Sequence, residues 1–222
     1  MSLVLKRMET KGDCPESSKT KGQAMKIILG SASPRRKELL KEIFAEFEII
    51  PSNFNEDYIK QDETKPAELV ETLSKLKGEE IFSRIKLEED FLIISSDTMV
   101  FCDNKLLGKP KDKEEAFMML KMLGNNMHTV YTGLFILVKQ RKKIEKILTH
   151  SKTDVYFKKL SDEQILEYIE KENILDKAGA YAVQGPAKEF VARIEGNYNT
   201  VVGLDTEKLK EILATVLNRR IN

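Results

Sequence analysis

The run Phe91-Leu92-Ile93-Ile94, passing directly into Ser95-Ser96-Asp97-Thr98, constrains the fold more than any other stretch. Four consecutive apolar residues leave no face for water, so they predict a strand covered on both sides. Strands of that kind sit in sheets with helices on both faces, which predicts an α/β class. The strand is expected to end at Ser95–Thr98. Asp97 would then lie at the end of a buried strand, where open α/β sheets place their ligands.

The rest of the chain alternates between the same two periodicities. Lys26-Ile27-Ile28-Leu29 predicts a first buried strand, ending in the small-residue turn Gly30-Ser31-Ala32-Ser33. Ser33 can cap a helix with Pro34 at its first position, and Leu39, Leu40, Ile43 and Phe44 give it an apolar stripe. A second strand is expected over 46–51, then a polar connection over 52–65, then a helix opened by Pro66. Met99–Phe101 and Leu106–Leu107 predict a hairpin across Asp103-Asn104. Capping-box patterns at Asp112–Glu115 and Ser161–Gln164 predict two helices, the first stopping at Gly124. Strands are expected over 129–138, 147–157 and 190–194, and Asp205 or Thr206 caps a last helix. The sum is an α/β fold with a mixed sheet. Its 222 residues suffice for one large domain or two lobes sharing a cleft.

Four segments carry chemistry. Gly30-Ser31-Ala32-Ser33-Pro34-Arg35-Arg36 gathers hydroxyls, unpaired backbone N–H groups and two guanidiniums at a helix start, which suits an anion. A capped helix with two solvated arginines fits the same residues, and the spacing is not that of a Walker A loop. Asp97 can bind Mg²⁺ or take a proton from water, or simply cap a turn. In Gly108-Lys109-Pro110 the neighbours constrain a cation suited to a polyphosphate, although a turn lysine in solvent is the plainer reading. In Asp176-Lys177-Ala178-Gly179-Ala180-Tyr181-Ala182-Val183-Gln184-Gly185, small residues permit close backbone approach. Gln184 there offers donor and acceptor to a base edge, and a tight crossing of strands is equally compatible. Glu56 and Lys77, judged singly, read as surface.

Composition narrows the function. Lysine plus arginine number 37 against 36 acids, a net charge of +1, which gives no basis for a dedicated nucleic-acid surface. No apolar run is long enough for a membrane span. Two cysteines, Cys14 and Cys102, make neither a disulfide framework nor a zinc spacing, and they fit a reducing, cytoplasmic setting. Residues 1–25 are polar and lack the marks of a signal or transit peptide, so they read as a flexible extension before a domain over 26–222.

Together these motifs, in this order, resemble the Maf family of nucleotide pyrophosphatases: Ser31-Ala32-Ser33-Pro34-Arg35-Arg36, Ser96-Asp97-Thr98, Gly108-Lys109-Pro110, and Asp176 through Gly185. The resemblance runs from Lys26 to about Leu217. It implies an elongated mixed sheet with flanking helices, two α/β lobes around a central cleft, and a reaction in which water attacks the α-phosphorus of a nucleoside triphosphate, releasing monophosphate and pyrophosphate. It implies Asp97 as proton acceptor, Arg35, Thr98 and Gln184 as specificity positions, and Ser31, Ser33, Arg36, Lys77 and Lys109 around the phosphates. Glu56 and Asp97 would hold a divalent metal, Mg²⁺ first and Mn²⁺ second. The family's methylguanine type carries a tryptophan that this chain lacks entirely. A neutral base with keto oxygens and an imide N–H suits Arg35, Thr98 and Gln184, so dTTP and UTP are expected. The alternatives are another modified nucleotide such as 7-methyl-GTP, or a non-catalytic regulator of septum formation. The resemblance admits a homodimer.

Overall fold

Helix starts follow the local chemistry of the chain. The computed structural model describes residues 25–218 apart from 57, 58, 60–63 and 87. After strand β1 (Lys26–Leu29), the Ser33 hydroxyl accepts from the Arg36 N–H and opens helix α1 (Pro34–Lys41). β2 is shorter than the sequence predicts, Glu48–Ile49, and leads by way of an open connection to α2 (Pro66–Arg84). β3 (Phe91–Cys102) turns into β4 (Lys105–Leu107) as the expected hairpin, with Asp103 and Asn104 in the left-handed region that such a turn requires. Asp112 caps α3 (Lys113–Leu123), but only half of the predicted box forms. The Glu115 carboxylate accepts from Lys111 N at 2.7 Å rather than from the cap residue. β5 (Met127–Gln140) and β6 (Lys143–Phe157) form one long hairpin, and α4 (Asp162–Lys171) begins at a complete Ser161–Gln164 box. β7 (Val191–Glu195), the short α5 (Tyr198–Val202) and α6 (Thr206–Asn218) finish the described chain. Asp205 accepts from Lys208 N at 3.0 Å at the start of α6. The extension expected over 1–25 lies, save for Met25, outside the described residues, as do 219–222.

One mixed sheet runs through the molecule in the order β2-β1-β3-β5-β6-β7. Its β2-β1-β3 side is parallel, with α1 and α2 as crossovers; from β3 onward the pairing is antiparallel. Alternation along the strands splits the core into two faces. Ile28, Phe91, Ile93, Phe135 and Met99 meet α2 through Leu69, Val70, Leu73 and Ile81. Leu29, Leu92, Ile94, Val130, Leu134 and Val155 meet the other helices through Leu39, Leu120, Ile165 and Leu209. The α/β class and mixed sheet expected from the sequence are therefore present.

The predicted end of the central strand is corrected. β3 does not stop at Ser95–Thr98; it continues to Cys102, because β5 pairs with it residue for residue from Phe91 to Phe101. The opposite edge of β3 is discontinuous. β1 pairs only as far as Ile94, and β4 begins pairing at Val100. Between them the segment 95–99 has no neighbouring strand on that edge. Asp97 thus lies in mid-strand, beside a gap in the sheet.

Candidate active site

The gap at 95–99 opens into a cleft of about 800 Å³. Because the sheet is interrupted there, residues from both of its faces reach the same space. Asp97 points to the α2 face and Thr98 to the other, yet both line the cleft. Every site residue expected from the sequence is on its wall: Ser31, Ser33, Arg35, Arg36, Glu56, Lys77, Asp97, Thr98, Lys109 and Gln184.

On the α2 face the geometry depends on two glycines. Gly133, on β5, lies directly opposite Asp97, and a Cβ there would come within 2.1 Å of the Val70 carbonyl oxygen. A Cβ on Gly78 would come within 2.3 Å of the Phe135 ring. Without those carbons the α2 backbone settles onto the sheet, and Lys77, next to Gly78, reaches the acid. Its ammonium bonds the Asp97 carboxylate and also lies 2.8 Å from Glu56 Oε1. Asp97 is 6% exposed, so the ion pair is largely shielded from water. Ser95 Oγ, on the same face, donates to the Ser74 carbonyl at 2.7 Å and ties β3 to α2.

On the opposite face Arg36 is an inward staple rather than a solvated cation. Nε donates to the Gly203 carbonyl at 2.8 Å, Nη1 to Ser31 Oγ at 3.3 Å and Nη2 to Thr98 Oγ1 at 3.0 Å. Burial pushes its affinity for the proton down, opposed by the charge of Asp97. Three of its five N–H groups are thereby accounted for, leaving two for a ligand. Ser96 Oγ donates to the same Gly203 carbonyl at 3.0 Å. Gly203, Thr132 and Thr200, which bonds Thr132 through its carbonyl, escape the sequence reading. Their partners lie 34 to 167 residues away, and no local pattern marks them.

The outer wall is less encumbered. Arg35 Nη1 lies 3.9 Å from Asp176 Oδ2, linking the first motif to the fourth. Lys177, beside it, is buried and turned onto Asp176 and the Asn173 carbonyl, so it serves the loop itself. Lys109 and Gln184 are exposed on the cleft rim. Tyr181 closes the back of this segment, with its hydroxyl 2.7 Å from His128 Nε2.

The carboxylates permit a test of metal fit. Among the described residues no cluster of three or more His, Cys, Asp or Glu side chains is arranged for a metal. Glu56 and Asp97 nevertheless converge on a single cationic point, now taken by the Lys77 ammonium. Two oxygen donors meeting at one cation suit a hard divalent ion that completes its shell with water and phosphate oxygens, as Mg²⁺ does.

Comparison with known proteins covers this whole region. A family model described as Maf-like protein matches residues 26–216. A dTTP/UTP pyrophosphatase of Caldicellulosiruptor bescii is 43% identical over 189 residues, covering 85% of this chain and 93% of that protein. One from Carboxydothermus hydrogenoformans is 45% identical over 185 residues, covering 83% and 95%. A nucleoside-triphosphatase (dITP/XTP pyrophosphatase) structure from Mycobacterium abscessus aligns at 11% identity with a TM-score of 0.38, over 89% and 97% of the two chains. That last likeness is too loose to bear on the site.

Proposed function

This chain belongs to the Maf family, and from that premise we propose that it is a nucleoside triphosphate pyrophosphatase acting on dTTP and UTP. Curated relatives at 43–45% identity carry that activity in their names. The observation that carries the reading is the cleft, where four separate stretches bring Asp97 together with Arg35, Arg36, Lys77 and Lys109.

In this mechanism Asp97 accepts a proton from water as the water oxygen bonds to the α-phosphorus. The bond from that phosphorus to the β-phosphate oxygen breaks, and the products are monophosphate and pyrophosphate. The transition state concentrates negative charge on phosphoryl oxygens, so cations placed beforehand contribute much of the rate. Lys77, Arg36 and Lys109 neutralise that charge, and the Ser31 and Ser33 hydroxyls hold phosphate oxygens. Glu56 and Asp97 would hold a divalent metal, Mg²⁺ or Mn²⁺, which when bound supplies Lewis-acid stabilisation of the polyphosphate. Arg35, Thr98 and Gln184 face the base, and no tryptophan exists in the chain to stack a methylated guanine.

The proposed setting is the cytoplasm, with a small nucleotide as partner, no nucleic acid, and a homodimer as the assembly. Cys102 is free and buried, and no helix among the described residues is long and apolar enough to cross a membrane. The test is hydrolysis of dTTP, UTP, CTP and 7-methyl-GTP at equal concentration, reading both products. dTTP and UTP should lead. A lead for 7-methyl-GTP overturns the base assignment, and binding of dTTP without pyrophosphate release transfers the protein to a regulatory role in septum formation.

A further inference from the structure

Behind the cleft wall, hydrogen counting fixes the direction of a chain of hydrogen bonds. Thr132 lies on β5 directly across from Thr98 on β3 and is 1% exposed. Its hydroxyl is 2.7 Å from the Thr200 carbonyl, which can only accept, so the Thr132 hydrogen is committed there. Thr98 Oγ1 is 2.9 Å from Thr132 Oγ1 and must therefore supply the hydrogen of that bond. Arg36 Nη2 can only donate, and it donates to Thr98 Oγ1 at 3.0 Å. Thr98 receives from Arg36 and gives to Thr132. What it has left for the cleft is one lone pair and no hydrogen.

We propose that Thr132 is a positioning residue that sets base specificity by holding Thr98 as a pure acceptor. The inference rests on the reading that Thr98 faces the base of a pyrimidine triphosphate. Uracil and thymine bring an imide N–H to such an acceptor. Cytosine has a bare lone pair at N3, so CTP sets acceptor against acceptor, an arrangement worth a loss of about tenfold or more. Thr132 never touches the substrate in this scheme; it acts by removing the one hydrogen that would let Thr98 receive cytosine.

The experiment measures kcat/KM for UTP and CTP in the wild type, Thr132→Val and Thr132→Ser. Valine removes the acceptor for the Thr98 hydrogen, which can then turn toward N3 of cytosine. The UTP-to-CTP ratio should fall about tenfold in Thr132→Val, mainly through a gain on CTP, and serine should restore it. A purely structural role would lower both substrates together and leave the ratio in place, and that result overturns the inference. Thr132→Ala is read in the same way if the valine variant does not fold. Wild-type enzyme supplies an independent arm: UTP methylated at N3 should be rejected as CTP is, and its efficient cleavage also overturns the inference. Wild-type protein that cleaves neither UTP nor dTTP defeats the functional reading itself, an outcome visible before any variant is made.

Discussion

Asp97 and Arg36 are both polar side chains on the cleft wall, and their surroundings predict opposite consequences of removing them. Asp97 has Lys77 as its ion-pair partner, and that ammonium keeps Glu56 if the aspartate charge is lost. Asp97→Asn should therefore preserve the fold while turnover drops by roughly 10²–10⁴-fold, the range for a general base. Steady-state rates beside a thermal melt check this; an undiminished rate would remove Asp97 from its role. Arg36 donates to the Gly203 carbonyl, Ser31 and Thr98, so it joins α1 to β3 and to the segment after α5. Arg36→Met should lower stability by about 2–4 kcal/mol, because three acceptors lose a charged donor. Denaturant unfolding measures it. A variant that loses activity at unchanged stability would mean that Arg36 serves the ligand alone.

At the scale of elements, the cleft depends on how closely α2 approaches the sheet. Gly78→Ala places a carbon against Phe135 and the Ser95 hydroxyl. The helix must rise or the ring must shift, at a cost of about 1–3 kcal/mol for overpacking. Lys77 rises with it, and misplacement by an ångström can reduce turnover by ~10²-fold. Stability and kcat should therefore fall together in this variant, and a full kcat would show that the seat of α2 is not what places Lys77. The same elements mark what a sequence discloses. Caps at Ser33, Asp112 and Ser161 are legible because their partners lie within three residues. The motifs that line the cleft are legible as ordered patterns, and so is the mixed α/β class. The continuation of β3 through Ser95–Thr98 is not, because β5 imposes it from 34 to 40 residues along the chain. Nor is the closeness of α2, since Gly78 and Gly133 look like helix and strand defects until they face one another's elements. Polar residues in a buried strand read as its end when they mark the place where its neighbour stops.

The whole molecule carries a pH dependence that belongs to one buried imidazole. His128 is 1% exposed on β5, enclosed edge-on by Phe157 and Tyr181 and bonded to the Tyr181 hydroxyl. Among the described residues, its Nδ1 is the one buried side-chain nitrogen or oxygen without a hydrogen-bond partner. Burial disfavours the charged ring and lowers its pKa from 6.5 to about 4. Above pH 6.5 the ring is neutral in both folded and unfolded chains and adds nothing to the pH dependence. As pH falls from 6.5 toward 4, the unfolded chain takes up a proton that the folded chain refuses, so stability drops; below about 4 both forms are charged and the loss levels off. The full loss is about 3 kcal/mol. The strain falls on β5 and on the segment holding Tyr181, which line the cleft through Val130 and Tyr181, so acid should loosen the site along with the fold. In His128→Gln the amide can still meet the Tyr181 hydroxyl but cannot titrate in this range. Unfolding free energies of wild type and His128→Gln should therefore diverge between pH 7 and pH 4.5, with the wild type falling more steeply by up to one proton. Parallel curves would assign the acid sensitivity to the carboxylates instead.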